Sequence, residues 1–225
     1  MRNWNGLPTF VIGTAGTSIE VKSVIIDINR SYHVAYFDFI SLVSEKCDDI
    51  LVSKGVAVAE PTFYERIEEF DVLGVVIPFG CPIIKEKVYN KIAKYNNIVF
   101  PNIIHPTAIV GENVDIGYGN YIAAGVTISP NVRIGNFCLI NNNCNIGHDV
   151  IIEDYAVINP LAAISGNVHI SHGALIGGHS AIIQDTTIGK YAKIGLGAFV
   201  IKDVPAMTTV ICEPAKSLKC DTQRI

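Results

Sequence analysis

The stretch RIGNFCLINNNCNIGHDVIIEDYAVINPLAAI, residues 133–164, places isoleucine at 134, 140, 146, 152, 158 and 164. The step of six continues outward on both sides. It runs through Ile104, Val110, Ile116, Ile122 and Ile128 before this stretch, and through Ile170, Ile176, Ile182, Ile188, Ile194 and Val200 after it, seventeen aliphatic positions without a miss. Four residues after most of them stands a small or β-branched residue, such as Val132, Cys138, Cys144, Val150, Ala156 and Val168, with Asn120 the clear exception. Glycine often follows directly, as Gly111, Gly135, Gly147 and Gly177. A helix of 3.6 residues per turn would rotate each successive isoleucine to a new face, so a strict six-residue period excludes it. A short strand followed by a tight turn keeps the period: the aliphatic residue points inward, the small one fits the corner, and Gly or Asn tolerates the turn backbone.

This pattern resembles the hexapeptide-repeat superfamily, in which three hexads make one triangular coil of a left-handed parallel β-helix. Residues 18 apart then stack in neighbouring coils at a strand spacing of about 4.8 Å. The run supplies between five and six coils. In this register Cys138 and Cys144 turn inward as small hydrophobes.

Composition agrees with a packed domain. Of 225 residues, 49% are hydrophobic and 17% charged, which argues against disorder. A formal charge of −4 offers no overall attraction to nucleic acid or anionic lipid. No uncharged apolar run of about 18 residues is present to span a membrane. The start, MRNWNGLPTFVIG, reads as a first strand rather than a signal peptide. Six cysteines without a CxxC pair fit reduced thiols in a cytoplasmic protein.

Residues 1–99 lack the six-residue period. PTFVIG leads into the turn Gly13-Thr14-Ala15-Gly16-Thr17-Ser18, SIEVKSVIIDINR reads as a helix, and HVAYFDF as a strand ending near Asp38. VLGVVIPFG reads as another strand and PIIKEKVYNKIAKY as another helix. This βαβ order predicts a Rossmann-like α/β domain over 1–99 followed by the β-helix over 100–225, with ligand beyond the C-terminal strand ends. A Gly-rich turn at a helix N-terminus can hold a diphosphate through backbone N–H groups, although many such turns bind nothing.

Among the histidines, His33 is read in a strand and His105 at the entry to the first coil, both structural. His169, His172 and His179 are read at turn positions, and their separations do not supply the convergent ligands that zinc needs, so no metal is expected. His148 is set apart by the adjoining Asp149. A histidine accepts a proton near neutral pH, and a carboxylate beside it orients the ring. The register turns His148 outward at a corner, between Pro130 one coil back and Gly166 one coil ahead. Gly166 removes a side chain where a thioester would approach and leaves a backbone N–H near the reacting carbonyl. A solvated turn histidine is the other reading of the same spacing.

Taken together, the βαβ start, the hexads, Gly147-His148-Asp149, Gly166-Asn167-Val168 and the terminal Pro214-Ala215-Lys216 resemble the sialic-acid O-acetyltransferase family, which includes nucleotide-sugar N-acetyltransferases of bacterial glycan synthesis. The resemblance implies a homotrimer, with acetyl-CoA in a groove between adjacent β-helices and a UDP- or dTDP-linked amino sugar held by the N-terminal domain. It implies His148 as general base and Asp149 as its orienting carboxylate, with Asn141, Gly166, Pro214 and Ala215 on the acetyl-CoA side. Gly13, Gly16, Asp38 and Gly80 match nucleotide-contacting positions, and Lys85 stands where the family often has Arg, as a partner for the diphosphate. The chain departs from the family at Val157, where a second His is frequent, at Gly16-Thr17-Ser18, and at Cys212-Glu213 before Pro214. Acetylation of a sugar hydroxyl, or a catalytically silent nucleotide-sugar-binding trimer, are the alternatives to N-acetyl transfer.

Overall fold

The computed structural model describes residues 5–46 and 50–213. In the N-terminal part, β1 (Leu7–Ile12), α1 (Gly16–Tyr32), β2 (Phe37–Ser44), α2 (Ile50–Ser53), β3 (Ala57–Ala59), α3 (Glu60–Arg66), β4 (Leu73–Val76), α4 (Pro82–Ile92) and β5 (Ile98–Val99) follow in order. All five strands are parallel, in the order β3-β2-β1-β4-β5. Helix α1 forms because Val21, Val24, Ile25 and Ile28 share one face at helical spacing, and all four are buried. It stops at His33, whose left-handed backbone (φ 53°) caps it. His33 is therefore a helix cap and not a strand residue, and β2 begins four residues later.

From Ile103 the chain winds as a parallel β-helix of two-residue strands, matching the left-handed type. Its three faces hold seven, six and five strands. The first face carries Tyr121, Leu139 and Val157 outward, the second Thr127, Asn145 and Ala163, and the third Arg133, Ile151 and His169. Each residue pairs with the one 18 further on, as Ile128 with Ile146 and Ile146 with Ile164. Lys193 pairs with Thr209, so the last coil is two residues shorter. The aliphatic ladder and the small residues four places later fill the interior, Ile122, Val126, Ile146, Val150 and Ile176 being fully buried. Cys138 and Cys144 are buried as well, and burial pushes their thiols up to about 12 and about 11. Asn120 is buried without penalty because its carboxamide donates to Gly135 O and accepts from Cys138 N. His169 lies on a strand of the third face, not at a turn.

The corner glycines have a different cause from the one the turn pattern suggests. Positive φ occurs three residues after the aliphatic position, at Asn131, Phe137, Asn143, Asp149 and Tyr155 among others. The glycine directly after it is needed because the next coil lies against it. A Cβ on Gly147 would stand 2.6 Å from Gly166 N, and one on Gly111 2.8 Å from Pro130 N.

The N-terminal part covers the first face. Tyr121, Leu139 and Val157 are buried in one cluster with Val21, Val24, Ile25 and Ile28 of α1. It also grips both corners beside that face. On one, Asn142 Nδ2 donates to Glu20 Oε1 at 2.7 Å, and on the other Tyr191 OH donates to Glu86 Oε2 at 2.9 Å. The third corner, between the second and third faces, lies opposite the covered face.

Candidate active site

His148 and Asp149 sit on that third corner. Strand Asn145–Ile146 delivers them there, and Gly147 lets the coil ahead pass close beneath. Asp149 takes φ 59°, a conformation that a short polar residue tolerates. His148 Nδ1 lies 2.7 Å from Asp149 Oδ2, with side chains 63% and 46% exposed. The carboxylate is held below its usual range by the hydrogen bond from His148 and by one from Asn131. The imidazole packs on Gly166, where a Cβ would come within 2.6 Å of both His148 Cε1 and Nε2. Asn167 N donates to His148 O at 2.9 Å, which fixes the two coils in register at this point. With Nδ1 engaged by the carboxylate, Nε2 is the nitrogen left to exchange a proton beside an open backbone.

Asn141 is not beside His148 in one chain. It stands on the corner next to α1, one full face away, and its Oδ1 accepts from Asn142 N at 2.8 Å. That leaves its amide N–H groups to reach a ligand or a neighbouring molecule. Pro214 and Ala215 lie outside the described residues.

A concavity of about 530 Å³ lies at the C-terminal ends of β1, β2 and β4, where the strand order reverses. Ile12, Gly13, Thr14 and Ala15 form one wall, with Glu45, Phe79 and Lys87 also lining it. Gly13 has φ 97°, and a Cβ there would meet Ser18 Oγ at 2.7 Å and Phe79 Cε1 at 2.9 Å. Gly16 opens α1 and Gly80 precedes α4, both with free space where a Cβ would be.

Two sequence expectations fail here. Asp38 is the second residue of β2 and pairs with Pro8 near the start of β1, the end of the sheet away from the groove. The strand was expected to end where it begins. The acidic residue just past its C-terminal end is Glu45, and the β-branched and aromatic run FDFISLVS before Glu45-Lys46 was the signal for it. Lys85 is 1% exposed and points into the molecule, where Nζ donates to Phe137 O at 2.6 Å. Helical spacing puts Lys87 and Lys91 of α4 on the groove side instead.

No three His, Cys, Asp or Glu among the described residues are grouped to hold a metal, and no helix among them is long and apolar enough to cross a membrane.

No family model matches the chain, and no curated protein is similar to it in sequence. Solved structures are similar along nearly its whole length. WeeI from Acinetobacter baumannii is 25% identical with TM-score 0.79, covering 94% of this chain and 100% of its own. A variant of perosamine N-acetyltransferase from Caulobacter crescentus, in complex with CoA and GDP-perosamine, is 24% identical with TM-score 0.78, over 93% and 95%. The acetyltransferase domain of PglB from Neisseria gonorrhoeae, in complex with acetyl coenzyme A, is 22% identical with TM-score 0.80, over 95% and 100%. The chain thus has the fold of the hexapeptide-repeat acyltransferases of the nucleotide-sugar type.

Proposed function

We propose that this chain is an acetyl-CoA-dependent N-acetyltransferase acting on a nucleotide-linked amino sugar, with His148 as general base. The observation that carries the reading is the His148–Asp149 pair, 2.7 Å apart, with the ring over a glycine that leaves the approach open. The fold's occurrence in a protein crystallised with CoA and GDP-perosamine supports the substrate classes.

The N-terminal part is read as a Rossmann-like nucleotide site. Gly13, Gly16 and Gly80 give a diphosphate close access to backbone N–H groups. Glu45 takes the position at the end of β2 suited to a ribose hydroxyl, and Lys87 and Lys91 supply the positive charge. In the reaction, the acceptor amine attacks the acetyl carbonyl carbon and the C–S bond breaks. Neutral His148 accepts the amine proton at Nε2 and returns it to the departing thiolate, while Asp149 stabilises the transient imidazolium. An N–H such as that of Gly166 faces the developing oxyanion.

The covered face and the third corner are on opposite sides of one β-helix, so the groove and His148 are not neighbours within one chain. The reading therefore includes a homotrimer, in which the groove and Asn141 of one protomer approach His148 of the next. A cytoplasmic setting supplies acetyl-CoA and the activated sugar.

The test is acetyl-CoA consumption with UDP-, dTDP- and GDP-linked amino sugars, comparing wild type with His148→Ala. Removing a general base lowers kcat by about 10²- to 10⁴-fold. Equal rates for the two proteins would remove His148 from the mechanism.

A further inference from the structure

Asp149 belongs to a column of corner residues 18 apart: Asn113, Asn131, Asp149, Asn167 and Asp185, all with φ between 56° and 64°. Its two carboxylate oxygens have separate donors. Oδ2 faces His148 Nδ1, and Oδ1 accepts from Asn131 Nδ2 at 3.1 Å. One coil further back, Asn113 Nδ2 lies 3.4 Å from Asn131 Oδ1. This second contact sets the amide: with its oxygen turned toward Asn113, the Asn131 nitrogen must turn toward Asp149. The column borders a cavity of about 450 Å³ on the third face, whose other charged lining groups among the described residues are Asp115 and Arg133.

An exposed histidine–carboxylate pair is weak and screened by salt, and both side chains keep rotamer freedom. A carboxylate held at one oxygen by a neighbouring coil loses that freedom. We infer that Asn131 is a positioning residue of the acyl-transfer site: its amide locks the Asp149 carboxylate so that Oδ2 stays on Nδ1 and the His148 Nε2 lone pair faces outward. The inference rests on the proposed role of His148 as base. The Asn131 amide is hydrogen-bonded to Asp149 and Asn113, not to the imidazole.

Two variants isolate the role. Asn131→Gly deletes the amide while glycine keeps the left-handed backbone, so the coil is undisturbed. Asn131→Asp keeps the size but sets a second carboxylate against Asp149. The first readout needs no substrate: ¹⁵N chemical shifts of the His148 ring in the intact protein report which nitrogen carries the proton. Wild type shows the Nδ1–H tautomer, and Asn131→Gly shows a mixture. In acetyl transfer to the most active of the UDP-, dTDP- and GDP-linked amino sugars, Asn131→Gly lowers kcat about tenfold, the loss of a charge-assisted hydrogen bond, with KM for acetyl-CoA unchanged. Asn131→Asp favours the imidazolium and moves the acidic limb of the pH profile to higher pH. An unchanged tautomer in Asn131→Gly together with an unmoved limb in Asn131→Asp would overturn the inference. Because the tautomer is read without turnover, a catalytically dispensable His148 would be recognised separately, by full activity of His148→Ala.

Discussion

At the residue scale, two glycines one coil apart have opposite demands. Gly147 lies against backbone, with Gly166 N and Ser165 C at 2.6 and 2.7 Å from the position of a Cβ. Gly166 lies against the ring end of His148, a half-exposed side chain that can turn away by giving up its contact with Asp149. Gly147→Ala is therefore expected to destabilise the protein by about 1–3 kcal/mol, as overpacking does. Gly166→Ala should unfold at the wild-type temperature yet lose at least about tenfold in kcat, because its methyl displaces the base by about an ångström. Thermal unfolding measured beside acetyl transfer checks both. Loss of stability without loss of activity at Gly166 would contradict the account. The outward direction of His148 was legible from the sequence because the strict period assigns every residue a direction. The reason for the glycines was not, since close approach between coils is invisible until residues 18 apart are stacked.

At the element scale, helix α4 shows why an amphipathic helix is harder to read than a hexad. Its lysines Lys85, Lys87 and Lys91 look alike in sequence, but only Lys85 turns inward, between the sheet and the aromatic corner of Tyr89, Phe137 and Tyr155. Burial pushes its ammonium down to about 8 from the ordinary 10.5. The folded protein then binds fewer protons at this group than the unfolded chain does between about pH 8 and 10.5, so stability rises with pH across that window. Relative to Lys85→Met, wild type is expected to gain on the order of 3 kcal/mol over the window. Denaturant unfolding of both proteins at pH 7.5 and 10 measures it, and parallel pH dependence would show that Lys85 is not buried as a cation. The same unit contains what sequence reasoning passed over. α2, β3 and α3 between Ile50 and Arg66 are too short to show a period, and β2 was displaced because His33 to Tyr36, a cap and turn, carries β-type residues.

At the scale of the whole molecule, the β-helix and its parallel-sheet start were legible as two kinds of pattern, but their mutual placement was not. Docking depends on outward residues such as Tyr121, Leu139 and Val157, which look no different in sequence from outward residues left open, such as Ile109 and Phe199. That placement decides the chemistry. It puts the groove at the strand ends and the His148 corner on opposite sides of one chain, so on the proposed reading activity requires neighbouring protomers around a closed ring. The most direct measurement is acetyl transfer by mixed oligomers co-expressed from two inactive variants, His148→Ala and the groove variant Lys87→Glu/Lys91→Glu. Random mixing restores an intact groove facing an intact His148 at about one quarter of the sites, and the account predicts activity near about one quarter of wild type. Mixed oligomers as inactive as either parent would contradict it.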